Sequence, residues 1–206
     1  DITADILCID DNSPDGTGTL LDELAEQHPG MFVVHRPLKQ GIGSAHLDAL
    51  RFAYQHHYRR LITMDGDLTH GPEDIPRFLE EAESCDVVIG SRFLPGAMDQ
   101  RTTKDRWLSW LSHWATRKVL QLPYDLTNGY RLYCMDKINP ALFFHIPSHG
   151  YAFFFESIYF LYQSGISIKE IPLNLLGRGR GQSKRILRDS IKWGRELILL
   201  RLRVFF

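Results

Sequence analysis

The run LITM (61–64) ends at two aspartates, Asp65 and Asp67, separated by one glycine and followed by Thr69, His70 and a Gly-Pro breaker. Two carboxylates at one strand end repel, and each raises the other's pKa unless a cation sits between them. A hard divalent ion relieves that repulsion. Mg²⁺ typically takes one or two protein carboxylates and completes its shell with phosphate oxygens and water. The pair therefore suits a Mg²⁺ or Mn²⁺ ion on a diphosphate. Two other chemistries stay open here: Asp at a strand end also serves turns and helix caps, and DGDLT (65–69) also suits a phosphatase whose first Asp is the nucleophile. Gly66 permits close approach of a ligand.

The elements that must position this pair follow from periodicity. Strand-like runs at DILCID (5–10), MFVVH (31–35), RLITM (60–64) and DVVIGS (86–91) alternate with helical patterns at 17–28, 41–57 and 72–84. Such alternation predicts βαβ units and a mostly parallel sheet flanked by helices. Ligands of open parallel sheets bind at the carboxyl ends of the strands. Asp10-Asp11, Asp65/Asp67 and Ser91-Arg92 occupy three such ends, so they are expected to share one rim. Beyond residue 95 the spacing predicts a helix over 103–121 carrying Trp107, Trp110 and Trp114, a turn and strand in 125–135, two apolar helices around 138–165, a strand over 166–176 and a basic amphipathic helix over 183–206. One domain spans 1–206: a nucleotide and metal half (1–95), an acceptor half (96–182) and the last helix.

Charge is unevenly placed. The first 35 residues hold eight acids and no Lys or Arg, whereas Arg178–Arg203 holds nine basic residues against Asp189 and Glu196. A basic end of this kind faces phosphates or is a solvated helix face. Cys8, Cys85 and Cys134 are scattered in apolar runs and read as reduced core residues. With no apolar run of bilayer length and no secretory leader pattern, a cytoplasmic placement is expected.

Six stretches in order, IDDNSPDGT (9–17), GIGSAHLDAL (41–50), MDGDLTHGPEDIPRFL (64–79), VVIGSRF (87–93), DLTNGYRLY (125–133) and GRGQSK (179–184), resemble the inverting GT-A glycosyltransferases of family 2, dolichyl-phosphate (polyprenyl-phosphate) mannose synthases in particular. The resemblance implies a GT-A fold and transfer of mannose from GDP-mannose to a polyprenyl phosphate. It implies that Asp11, with Asp10 beside it, contacts the nucleoside, and that Asp65 and Asp67 grip the metal-bound diphosphate with Thr69 as third ligand. Arg92 is implied near the phosphates. Arg106 and Ser109 take acceptor-phosphate positions, and Arg131, Glu156, Arg178 and Lys184 lie near the site. A lipid phosphate is largely dianionic near neutrality, which accounts for the lack of a nucleophile-plus-base pair. The last helix then suits the cytosolic face of a membrane; no nucleic-acid partner is expected. Phe153-Phe154-Phe155 reads as core, and His70 as a surface turn residue.

Relatives of this kind carry a strand and P-x-Y-N-E loop ahead of the strand at residues 5–10. The first strand is therefore expected to be absent here, leaving unpaired backbone in the sheet. The rivals are a polyprenyl-phosphate glucosyltransferase using a UDP-sugar, a haloacid-dehalogenase-like phosphatase, and a non-catalytic nucleotide- or lipid-binding relative. The phosphatase fold puts D-x-D on its first strand, with a second acidic pair downstream rather than upstream.

Overall fold

The structure, a computed structural model, describes residues 3–177 and 187–203. Arg178, Lys184 and the rest of 178–186 lie outside the described residues. The first half follows its periodicity: β1 (Ile6–Asp10), α1 (Thr17–Gln27), β2 (Met31–His35), α2 (Ile42–Gln55), β3 (Arg60–Thr63), a 3₁₀ turn at Pro72–Asp74, α3 (Ile75–Glu81) and β4 (Val87–Ser91). Then come β5 (Met98–Asp99), α4 (Thr103–Leu120), β6 (Arg131–Cys134), the single turn α5 (Ala141–Phe144), α6 (Ala152–Gln163), β7 (Ile168–Pro172), β8 (Asn174–Leu175) and α7 (Leu187–Arg203).

The chain is α/β, as expected, but its strands form three sheets. β1 and β2 pair in parallel; β3-β6-β4-β7 form a mixed four-stranded sheet; β5 and β8 make a short parallel pair. β6 runs antiparallel to both β3 and β4, so only β4 and β7 are parallel neighbours in the larger sheet. The reason is connectivity. Residues 121–130 bring the chain back to the carboxyl ends of β3 and β4, so β6 must start there and run down between them.

Each face of the larger sheet is covered. Val87 and Ile89 point into a core with Leu47 and Leu50 of α2 and Phe153, Phe155 and Ile158 of α6. Val88 and Leu132 point the other way, toward Phe78 and Ala82. The period-two alternation of β4 thus feeds two cores. α6 (AFFFESIYFLYQ) is buried over most of its circumference, because a helix apolar all round must be covered on all sides. Glycine is required where α2 meets the loop before α6. Gly41 has φ +102°, and a Cβ there would lie 2.5 Å from His149 O; at Gly43 it would lie 2.6 Å from Phe153 Cβ.

Among the described residues β1 pairs only with β2, and β3 only with β6. Between β1 and β3 lies a cavity of about 2130 Å³, lined by Ile6–Ile9 on one side and Arg60–Thr63 on the other. It runs up to the strand ends, where the polar residues gather.

Candidate active site

The cavity's polar end brings together Asp11, Arg36, Asp65, Asp67, Thr69, His70, Arg92, Arg101 and Ser109. All but Arg101 arrive from the ends of β1 to β4 or the helix beyond, so the strand ends set most of the convergence.

The Asp65–His70 turn is held from within. Thr69 donates its backbone N–H (3.1 Å) and its hydroxyl (2.6 Å) to Asp67 Oδ1. His70 Nδ1 accepts the backbone N–H of Asp65 at 2.9 Å. That bond requires a lone pair on Nδ1, hence a neutral ring, and burial likewise pushes the His70 pKa down. His70 is therefore no surface residue. It is buried against Tyr130, with ring centroids 4.9 Å apart. Gly66 leaves the turn open, since a Cβ there would meet nothing within 4 Å. Two carboxylates at the polar end of the cavity, braced by their own turn, fit a hard divalent ion that draws its remaining oxygens from a diphosphate. Among the described residues no cluster of three or more His, Cys, Asp or Glu is placed to hold a metal by itself.

Arg92 follows β4. Its Nε and Nη2 reach Asp125 Oδ2 and Oδ1 at 2.8 and 2.7 Å, and Nη1 donates to Ser109 Oγ at 3.1 Å. Burial alone would lower the guanidinium's pKa, but the Asp125 carboxylate more than reverses this and the net shift is upward. Burial would likewise raise Asp125; Arg92 overrides it and brings the carboxyl down to about 2. Glu170 supports the pair from below, its Oε1 accepting the backbone N–H of Asp125 at 2.6 Å.

Asp10 and Asp11 part ways. Asp10 turns back to accept the Ser13 backbone N–H at 3.2 Å, stabilising the β1–α1 turn, and it lines a separate shallow pocket with Asn12 and His35. Asp11 faces the main cavity and is held by Arg36, which is buried and also bonded to Ser44 Oγ at 2.6 Å.

Three further expectations change. Arg106 is exposed and does not line the cavity, because the α4 face carrying Ser109 and Ser112 is the one turned inward. Arg131 is fully buried. It donates to Phe154 O (2.8 Å), Leu126 O (3.1 Å) and Ser157 Oγ (2.9 Å), so it fastens α6 to the sheet rather than meeting a ligand. Glu156 lies in the buried interior of α6, outside the cavity lining.

Sequence reasoning passed over Arg36 and Arg101. Arg36 stands directly after β2, so the strand-end rule that picks out Asp11 and Arg92 also points to it. Arg101 sits in an irregular loop and has no comparable signal.

Residues 3–148 match the family model Glycosyl transferase family 2. The chain is similar to an undecaprenyl-phosphate mannosyltransferase of Micrococcus luteus, 37% identical over 88% of this chain and 75% of the relative. It is also similar to a polyprenol monophosphomannose synthase of Mycolicibacterium smegmatis, 35% identical over 87% and 69%. In fold it is similar to glucosyl-3-phosphoglycerate synthase from Mycobacterium tuberculosis, solved with Mn²⁺, UDP-glucose and phosphoglyceric acid; the TM-score is 0.59 at 20% identity, over 95% of this chain and 67% of that one.

Proposed function

We propose that this chain, which belongs to glycosyltransferase family 2, transfers a mannosyl group from GDP-mannose to the phosphate of a polyprenyl phosphate with inversion at the anomeric carbon. The observation that carries the reading is the meeting of the Asp65/Asp67 pair and the Arg92–Asp125–Ser109 clamp at one cavity end. The two mannosyl-transferring relatives support the sugar and the acceptor class.

In this reading Asp11, steadied by Arg36, contacts the nucleoside. Asp65 and Asp67 would hold Mg²⁺ or Mn²⁺, with Thr69 bracing Asp67 or joining the shell through water. Such an ion, when bound, would supply positive charge to the departing diphosphate. Arg92 offers its remaining Nη1 N–H and its charge to the incoming phosphate, and its ion pair with Asp125 fixes the guanidinium before substrate arrives. An acceptor phosphate oxygen forms the new bond to the anomeric carbon while the bond to GDP breaks, and the electron pair leaves with GDP. No proton moves, so no base is needed. A single displacement on an α-linked donor gives a β-linked mannosyl phosphate. Residues 1–95 thus handle the donor and residues 96–182 the acceptor, with Arg92 the one group of the first part that reaches the acceptor.

A membrane surface is the proposed place of work. No helix among the described residues is long and apolar enough to cross a bilayer. α7 buries Leu197 and Leu200 and leaves Ile198, Leu199 and Leu202 exposed beside Lys192 and Arg195. α4, packed against it, exposes Trp107, Trp110 and Trp114 at 59%, 52% and 50%. Aromatic and basic residues on adjoining helices suit an anionic headgroup layer.

Donor binding tests the reading. Mn²⁺-dependent binding of GDP-mannose, stronger than that of UDP-sugars, is expected by titration calorimetry. Asp65→Ala or Asp67→Asn is expected to weaken it at least tenfold. Preference for a UDP-sugar would favour the glucosyltransferase rival; no metal-dependent binding of any nucleotide-sugar would sink the reading.

A further inference from the structure

Arg101 holds the geometry of a second phosphate-binding arginine. Its Nε and Nη2 are taken by Asp99 at 2.9 and 2.7 Å, the same edge that Arg92 gives to Asp125. Its Nη2 also donates to Ser109 Oγ at 3.1 Å, and Arg92 Nη1 reaches that same oxygen at 3.1 Å. Two guanidinium groups therefore converge on one hydroxyl at the cavity wall. Each is preset by its own carboxylate; with the Ser109 bonds made, Arg101 keeps two N–H groups on Nη1 and Arg92 keeps one. Thr102 caps α4 by accepting the Asp105 N–H at 3.2 Å, which fixes the helix start next to Arg101. The Arg101 side chain is mostly buried and lines the cavity, whereas Arg106 does neither.

We infer that Arg101, together with Arg92 and Ser109, binds the acceptor's phosphate monoester, and that Arg106 does not. This rests on the proposed transfer to a lipid phosphate. A tetrahedral dianion accepts several hydrogen bonds, and the Nη1 groups of two arginines that meet at one hydroxyl are close enough to serve a single such group. Both guanidinium groups being fixed beforehand, little side-chain entropy is lost on binding. The same chemistry would also suit a phosphate of the donor, so the test must separate the two.

The experiment titrates the full chain with a water-soluble short-chain isoprenyl monophosphate and, separately, with GDP-mannose plus Mn²⁺, in wild type, Arg101→Met, Arg101→Lys and Arg106→Met. Arg101→Met is expected to weaken the monophosphate at least tenfold, with GDP-mannose affinity kept within twofold. Arg106→Met is expected to stay within twofold for both. Arg101→Lys keeps the charge and loses the Nη1 N–H groups that the Asp99 pair aims; it is expected to lose several-fold for the monophosphate alone, and it carries the test if the methionine variant does not fold. Loss on the GDP-mannose arm, loss at Arg106 in place of Arg101, or no loss at Arg101 would each overturn the inference. So would failure of the wild type to bind the monophosphate. Sugar transfer to a lipid phosphate, assayed separately, decides the underlying reading.

Discussion

Replacing Asp125 by Asn keeps the side chain's volume and removes one charge from a pair buried on both sides. Breaking such a pair strands the other charge, at a cost of about 3–5 kcal/mol. We expect Asp125→Asn to lower the melting temperature and to cut transfer by about 10²-fold, because Arg92 loses the partner that aims it. The pH dependence has a defined sign. The Asp125 carboxyl is held at about 2 in the fold, against about 3.9 unfolded. Its contribution is therefore complete above pH ~3.9 and is lost as pH falls through about 2. The stability gap between wild type and Asp125→Asn, measured by denaturant titration, should be flat above pH ~4 and narrow below it; a gap that widens toward acid would contradict the assignment. At this scale Asp65, Asp67 and Arg92 are legible in the sequence, since strand ends are marked by where apolar runs stop. Asp125 is not, because a buried carboxylate in a turn looks like any turn aspartate until its partner is seen. Arg101 is obscured by Arg106, which matches a family position but sits on the outer face of α4.

The contact between α2 and the loop before α6 is as demanding as any in the core. Gly43 faces Phe153 Cβ, Gly150 O and His149 C, all within 3 Å of where a Cβ would be. Backbone and a Cβ cannot swing aside as a side-chain tip can. Gly43→Ala is therefore expected to cost about 1–3 kcal/mol through overpacking, read as a lower denaturation midpoint at unchanged slope; an unchanged midpoint would mean the two segments sit further apart. Alternating periods place β1 to β4 and their helices to within a few residues, because amphipathic spacing is a local property. Strand direction is not local. Nothing in RLYC (131–134) says that β6 runs antiparallel between β3 and β4. That placement comes from where the preceding turn leaves the chain.

Seen whole, the molecule has a polar cavity end on one face of α4 and a tryptophan row on the other, with α7 alongside. Trp107, Trp110 and Trp114 changed together to Ser should reduce sedimentation with anionic vesicles at least several-fold, while GDP-mannose binding in solution stays the same. Unchanged sedimentation would remove α4 from the membrane surface. The central claim is tested most directly by incubating the full chain with GDP-mannose, isoprenyl phosphate and Mn²⁺ and assigning the product's anomeric configuration by NMR. The account predicts a β-mannosyl phosphate, formed with Mn²⁺ and lost on chelation. An α-linked product, or no transfer from GDP-mannose by the metal-loaded chain, would contradict it.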